Sequence, residues 1–337
     1  MGIRYAGDVA LSIWGETTAG NRPSPVTKAA QMPIISCNLG RTEQAIASEV
    51  LSGNRMPAQP ARGLWAVRDR EIVVPFQRGS LGVWLYKACE QYSVSGSAAP
   101  YAHRFKVGGA AWHSAGPYFG AELWNAGVSR GDVVDGLAIT GFAFDLSEES
   151  TREARLSLSV AGLGKGDFDL GTRQDTTPTT FSGAYWGERS VEVKIDGTAS
   201  LWVTRAAFEV KRKYALRKAH DGTDYFTHCV LGGIESATLQ VAGIWDDTSA
   251  IRALATGQGE HSLEITVKDP VDPTNYFCKF TFQEFLAFVT NAAAISAGTN
   301  ELEVELEAHA YYADGALGSV CVIDLNDPTA TYVGFIQ

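Results

Sequence analysis

Residues 301–310 read ELEVELEAHA, and the period of this stretch decides the fold class. Glu301, Glu303, Glu305 and Glu307 alternate with Leu302, Val304, Leu306 and Ala308. Successive side chains of a strand point to opposite faces, so strict alternation predicts a half-buried strand with its apolar side inward. Four carboxylates then share one face and repel one another, which raises the question of what that face borders. Working outward, the same strand signals recur at REIVVPF (70–76), GLAITGFAFDL (136–146), REARLSLSV (152–160), VEVKI (191–195), SLWVTRAAFEV (200–210), ATLQVAGIW (237–245), SLEITV (262–267) and YFCKFTFQEF (276–285). They are rich in β-branched and aromatic residues, and 35 glycines punctuate the chain. The expected class is therefore mainly β.

Helical spacing is confined to SLGVWLYKACEQ (80–91), DTSAIRALATG (247–257) and, more weakly, TEQAIASEVLS (42–52). The first two fix an internal order. A strand, a short helix and three further strands in the first half are matched by a strand, a helix and three strands in the second. The spacing predicts two tandem units, residues 1–165 and 190–337, each a β-sandwich or half-barrel with one flanking short helix. Residues 166–189, rich in Gly, Thr and Asp, have the composition of a linker. Ahead of each strand and helix pair lies a long segment, 38–63 and 205–229, expected to protrude as a loop or hairpin arm.

At 337 residues and 45% hydrophobic content the chain can build a sizeable core, and the net charge of −10 argues against a protein that grips phosphate backbones. Cys37, Cys89, Cys229, Cys278 and Cys321 are scattered with no C-x-x-C pair, as expected of free thiols in a reducing compartment. No stretch has the length of a membrane-spanning helix or the apolar core of a signal peptide, so synthesis and folding are expected in the cytoplasm.

No catalytic motif stands out, and no metal, cofactor or enzymatic activity is expected. GLGKG (162–166) lacks the spacing and the hydroxyl residue of a phosphate loop. His220 and His228 flank a turn without a third ligand in view. Asp246 and Asp247 suit a helix start. Trp112, Trp124, Trp186 and Trp245 could form a sugar platform or simply core, which keeps open a two-domain β-sandwich module that binds carbohydrate or a cell-surface receptor. The basic run KRKYALRK contributes Lys211, Arg212, Lys213, Arg217 and Lys218, either as a solvated hairpin or as a docking arm toward an acidic copy of the same chain, with Asp132 and Asp135 as candidate partners.

With ETTAG (16–20), PIISCN (33–38), SEVLSGNR (48–55), ARG (61–63), VPFQRGSLGVWLYKACE (74–90), and the strand pair VSRGDVVDGLAITGFAFDLS and REARLSLSVAGLG, the chain resembles the tail tube proteins of long-tailed, siphovirus-like bacteriophages. The resemblance implies a sheet that joins those of neighbouring copies into a closed barrel around a channel. With two units per chain it implies a homotrimer with pseudo-sixfold symmetry, stacked into a tube through which DNA passes. It further implies a virion location, and partners among the tape measure, tail tip and terminator proteins. On that basis Glu301, Glu303, Glu305 and Glu307 are expected to face the lumen, where like charge keeps DNA from sticking. The same alternation would equally suit the solvent face of an ordinary sheet. In the first half the corresponding face carries Arg155, Ser157 and Ser159, so the lining is not expected to be uniform.

Overall fold

The computed structural model describes residues 9–46, 61–109, 111–114, 116–147, 153–199, 203–244, 254, 259–295, 302–311 and 318–333. The first half comprises β1 (Val9–Gly15), β2 (Ala30–Met32), β3 (Ser36–Cys37), β4 (Thr42–Ile46), β5 (Ala61–Pro75), α1 (Leu81–Ala88), β6 (Gln91–Ser95), β7 (Tyr101–Val107), β8 (Phe119–Asn125), β9 (Arg130–Ser147) and β10 (Arg155–Lys165). After β11 (Thr179–Thr180) follow β12 (Val191–Ile195), β13 (Thr198–Ala199), β14 (Val203–Arg217), β15 (His228–Ile244), β16 (His261–Lys268), β17 (Phe277–Ile295), β18 (Leu302–Ala310) and β19 (Cys321–Asp327). The protein is mainly β, and its strands join one open mixed sheet.

Pairing follows the apolar alternation, because a one-residue slip would carry a buried set to the wrong face. In the first half the spatial order is β1-β8-β9-β10-β5-β4. In the second it is β12-β16-β17-β18-β15-β14. The order of elements along the chain and across the sheet is thus the same in both. A register shift sits at the matching place too, between Phe119 and Ala121 in one half and between His261 and Leu263 in the other. The halves are sewn together where the end of β9 pairs with β14, from Gly141↔Lys211 to Ser147↔Arg205, and where β7 pairs with β19. At this seam Gly141 permits the approach, since a Cβ there would lie 2.7 Å from the Val210 carbonyl oxygen.

Segment 42–52 departs from the helical expectation. Thr42–Ile46 is strand, paired to β5 from Thr42↔Ala66 to Ile46↔Ala61, because an open sheet edge satisfies its backbone better than a short isolated helix. Residues 47–52 of that segment lie outside the described residues, as does the expected helix at 247–257 except for the buried Leu254. Segment 166–189 packs on the first half: β11 pairs in parallel with β2, and Trp186 exchanges backbone bonds with Phe76 and Ala154.

One apolar core runs through both halves. Phe76, Phe144, Phe208 and Phe280 meet at ring distances of 4.8 to 6.2 Å, drawing together the start of the α1 connection, β9, β14 and β17. All eight residues of α1 are buried against this mass. Trp186, a candidate sugar platform in the sequence, is fully buried, and its indole N–H bonds Asp269 at 2.8 Å. Because the core is shared, Phe208→Ala should cost about 3–5 kcal/mol and shift a single unfolding transition. Two separated calorimetric transitions, only one of them moved, would contradict a shared core.

A second anchor is electrostatic. Glu16 is buried and accepts backbone bonds from Gly20 at 2.6 Å and Gly136 at 3.1 Å. Burial, with nearby Asp135, pushes its carboxyl up from 4.5 to about 7. The folded state therefore holds a proton that the unfolded chain releases, so this group's contribution falls as pH rises from 4.5 to about 7 and is flat above. Relative to Glu16→Gln, the native chain should lose on the order of 3 kcal/mol across that window. Denaturant midpoints measured at intervals from pH 5 to 8 check this, and parallel curves would refute it.

Candidate assembly site: a continuous polar face

The alternation first read at 301–310 places Leu306 and Ala308 in the core and leaves Glu305 and Glu307 half-buried on the opposite face. Glu303 sits in β18 with Ile244 and Ala294 as its register partners, and Glu301 lies outside the described residues. The face of Glu305 and Glu307 does not end at β18. One row of register partners runs Leu286, His309, Thr238, Glu209, Ala143, Ser157, Val73 and Ser36, crossing β17, β18, β15, β14, β9, β10, β5 and β3. A parallel row carries Phe288, Glu307, Gln240, Ala207 and Asp145. Both halves therefore contribute to a single polar sheet face, backed by the shared core.

Apart from Leu286, Phe288, Val73, His309 and Gln240, the side chains on this face are small or charged. Ala143, Ala207, Ser157, Ser159 and Thr238 lie among Glu71, Asp145, Glu209, Glu305, Glu307, Arg155, Arg205 and Lys211. Carboxylates outnumber cations, but the two signs are interleaved. Arg205 reaches Asp145 at 3.2 Å and Glu305 at 3.8 Å, and Lys211 reaches Glu209 at 2.8 Å. The Asp145 hydrogen bond holds the Arg205 guanidinium more firmly charged than usual. The expected run of carboxylates is thus met by arginine two strands away. Sequence reasoning missed that pairing because β14 reaches β18 only through β15.

The basic run divides. Lys213 and Arg217 are exposed on the β14–β15 hairpin, and Lys218 bonds Asp221 and Thr223 at its turn. Lys211 stands on the polar face. Arg212 is no docking residue in this fold: its side chain is buried and makes two bonds to Glu90, at 3.0 and 2.9 Å. A charge with no access to water requires a partner, and Glu90, 122 positions away, supplies it. Asp132 and Asp135 likewise have other partners, Asp132 accepting from the Asp169 N–H and Asp135 from Arg22. The hairpin folds back onto the first half of its own chain, where Leu216, Phe226, Cys229 and Leu231 cover Ala138 and Leu163, and Tyr214 donates to Asp69.

Other sequence features resolve structurally. His228 is paired with Arg217 across the hairpin, not with His220, and bonds Thr227 at 2.9 Å. GLGKG ends β10, and a Cβ on Gly166 would lie 2.0 Å from the Val133 carbonyl oxygen, so this glycine serves close backbone packing. Asp246, Asp247 and Trp245 lie outside the described residues. Among the described residues no group of three His, Cys, Asp or Glu is placed to hold a metal, and no helix is long and apolar enough to cross a membrane.

Removing one member of the buried pair should be costly. Arg212→Met is expected to lose about 3–5 kcal/mol by stranding Glu90, whereas Lys213→Met next to it should stay within about 0.5 kcal/mol. Equal effects in urea denaturation would refute the division of the basic run.

A comparison with curated proteins returns no match. A family model described as phage tail tube protein matches residues 7–310, a span that takes in the polar face, the β9–β14 seam and the β14–β15 hairpin. The chain therefore belongs to the phage tail tube protein family, whose members are structural components of the virion tail.

Proposed function

We propose that the chain is the self-assembling subunit of a siphovirus-like tail tube, that residues 1–165 and 190–337 are two copies of one tube unit, and that three chains close a pseudo-hexameric ring. The observation that carries this reading is the repeated pairing order, with the polar faces of both halves merged across the β9–β14 seam. That seam joins a first unit to a second within the chain, and repeating it around an axis gives a closed wall without sheet edges.

In this reading the polar face lines a channel for DNA. Carboxylates in wide, wet surroundings stay ionised, and their excess over cations limits phosphate contacts that would slow passage. Glu303, Glu305 and Glu307, with Glu301 beyond the described strand, supply much of that charge. Rings stack through the exposed hairpin charges Lys213 and Arg217, with Lys218 at the same turn, and the role is structural, without catalysis. Tape measure, tail tip and terminator proteins are the further partners, and assembly takes place in the host cytoplasm.

Native mass spectrometry and negative-stain microscopy of concentrated protein should show three-chain rings and hollow filaments. Lys213→Glu with Arg217→Glu should leave rings that no longer stack, at unchanged melting temperature. A compact monomer at all concentrations would overturn the tube reading. Normal filaments from the double variant would remove the hairpin from stacking.

A further inference from the structure

The seam inside the chain has a counterpart that no described strand fills. In the first half, one edge of β9 is taken by β8 over residues 130–137 and then by β14 over 141–147. β10 lies on the opposite edge, since it shares Leu137 with β8 and residues 141–143 with β14. In the second half, β16 takes one edge of β17 as far as Phe285, and β18 takes the other from Phe285 to Ile295. Beyond Phe285, the β16 side of β17 has no strand partner among the described residues. The matched register shifts align Val134 with Phe282 and Leu137 with Phe285. Beyond them the two strands bulge at different places, and the registers with β10 and β18 set Gly141 against Phe288, Phe142 against Val289 and Ala143 against Asn291.

The strand that fills the first seam has a counterpart as well. β14 pairs with β15 as Arg205↔Ala242 and Ala206↔Val241, and β3 pairs with β5 as Ser36↔Val73 and Cys37↔Ile72. Those pairs occupy matching positions, because β5 and β15 meet β10 and β18 in matching registers, Arg155↔Pro75 against Glu303↔Ile244. Residues 36–42 are therefore the counterpart of 205–211. Among the described residues their outer edge pairs with no strand.

A second observation points to the same place. In the first half Ala138 and Thr140 are buried, with Ala138 beneath the β14–β15 hairpin. Leu286 is the counterpart of Ala138, and Phe288 lies two residues on along the same face; both are large and apolar, 40% and 55% exposed. Apolar side chains of that size left open beside a vacant strand edge mark a contact surface.

We infer that residues 36–42 of one chain pair antiparallel with residues 288–295 of a second copy, with Thr42 opposite Phe288, Arg41 opposite Val289 and Gly40 opposite Asn291, and that β4, continuing past Thr42, covers Leu286 and Phe288. The occupant is a second copy because the chain itself carries both halves of the contact, each the counterpart of a pair it already makes internally. This rests on the tube reading and specifies its inter-chain joint. Backbone hydrogen bonding supplies the affinity, and the apolar cover excludes water from it.

Disulfide trapping tests the register. In a Cys37→Ser background, Gly40→Cys with Asn291→Cys places two thiols at partner positions. Oxidation of assembled protein should give covalent dimers and trimers on a non-reducing gel, with no species above three chains if the ring closes at three. Gly40→Cys with Ala292→Cys, one position out of register, should give at most a tenth as much. Rings or tubes that form normally and show no in-register enrichment would overturn this joint while leaving the tube reading intact. Protein that stays monomeric in every background would overturn both. Independently, Leu286→Asp with Phe288→Asp should abolish rings at unchanged melting temperature, and rings forming at the native concentration would contradict the apolar cover.

Discussion

The pairing of β9 with β14 is the constraint on which the rest of the molecule depends. It is made of backbone hydrogen bonds between residues 58 to 70 positions apart, and it fixes which face of each half turns the same way. Once Gly141 is opposite Lys211 and Ser147 opposite Arg205, the side-chain period of two carries everything else. Phe142 and Phe144 must meet Phe208 in the core, and Ala143 and Asp145 must join Glu209 and Ala207 on the polar side. A slip of one residue would put phenylalanine on the face proposed to line the channel and charge into the core, at a cost no local contact could offset.

Electrostatics divides accordingly between the two environments. On the polar face, Arg205 with Asp145 and Glu305, or Lys211 with Glu209, are exposed pairs that contribute little to stability and instead temper the charge density of the wall. In the interior, Arg212 with Glu90 and Arg22 with Asp135 tie loops to the sheet, where an unpartnered charge would be costly. A run of basic residues adjacent in sequence is thereby split between a buried tie, a wall and a hairpin tip.

Much of this was legible in the sequence because it is local. The alternation of Leu306 and Ala308 with Glu305 and Glu307, the helix within SLGVWLYKACEQ and the shared face of Arg155, Ser157 and Ser159 all follow from period alone. The mainly β class and the tail tube family followed from those elements and their order. What escaped the reading was non-local. Thr42–Ile46 is strand because the β5 edge is available, which no property of TEQAI announces. Arg212 is buried because Glu90 waits beneath it, and a side chain placed on an exposed-looking hairpin gives no sign of that. The mixed sign of the polar face depends on Arg205 arriving from a strand not adjacent to β18 in sequence.

The most direct test is a density map of the assembled tube at a resolution that traces strands. The account predicts that the row from Leu286 through Thr238, Glu209 and Ser157 to Ser36 lies on the inner wall, with Glu305 and Glu307 toward the axis. The same row on the outer wall, with the aromatic core side facing inward, would contradict it.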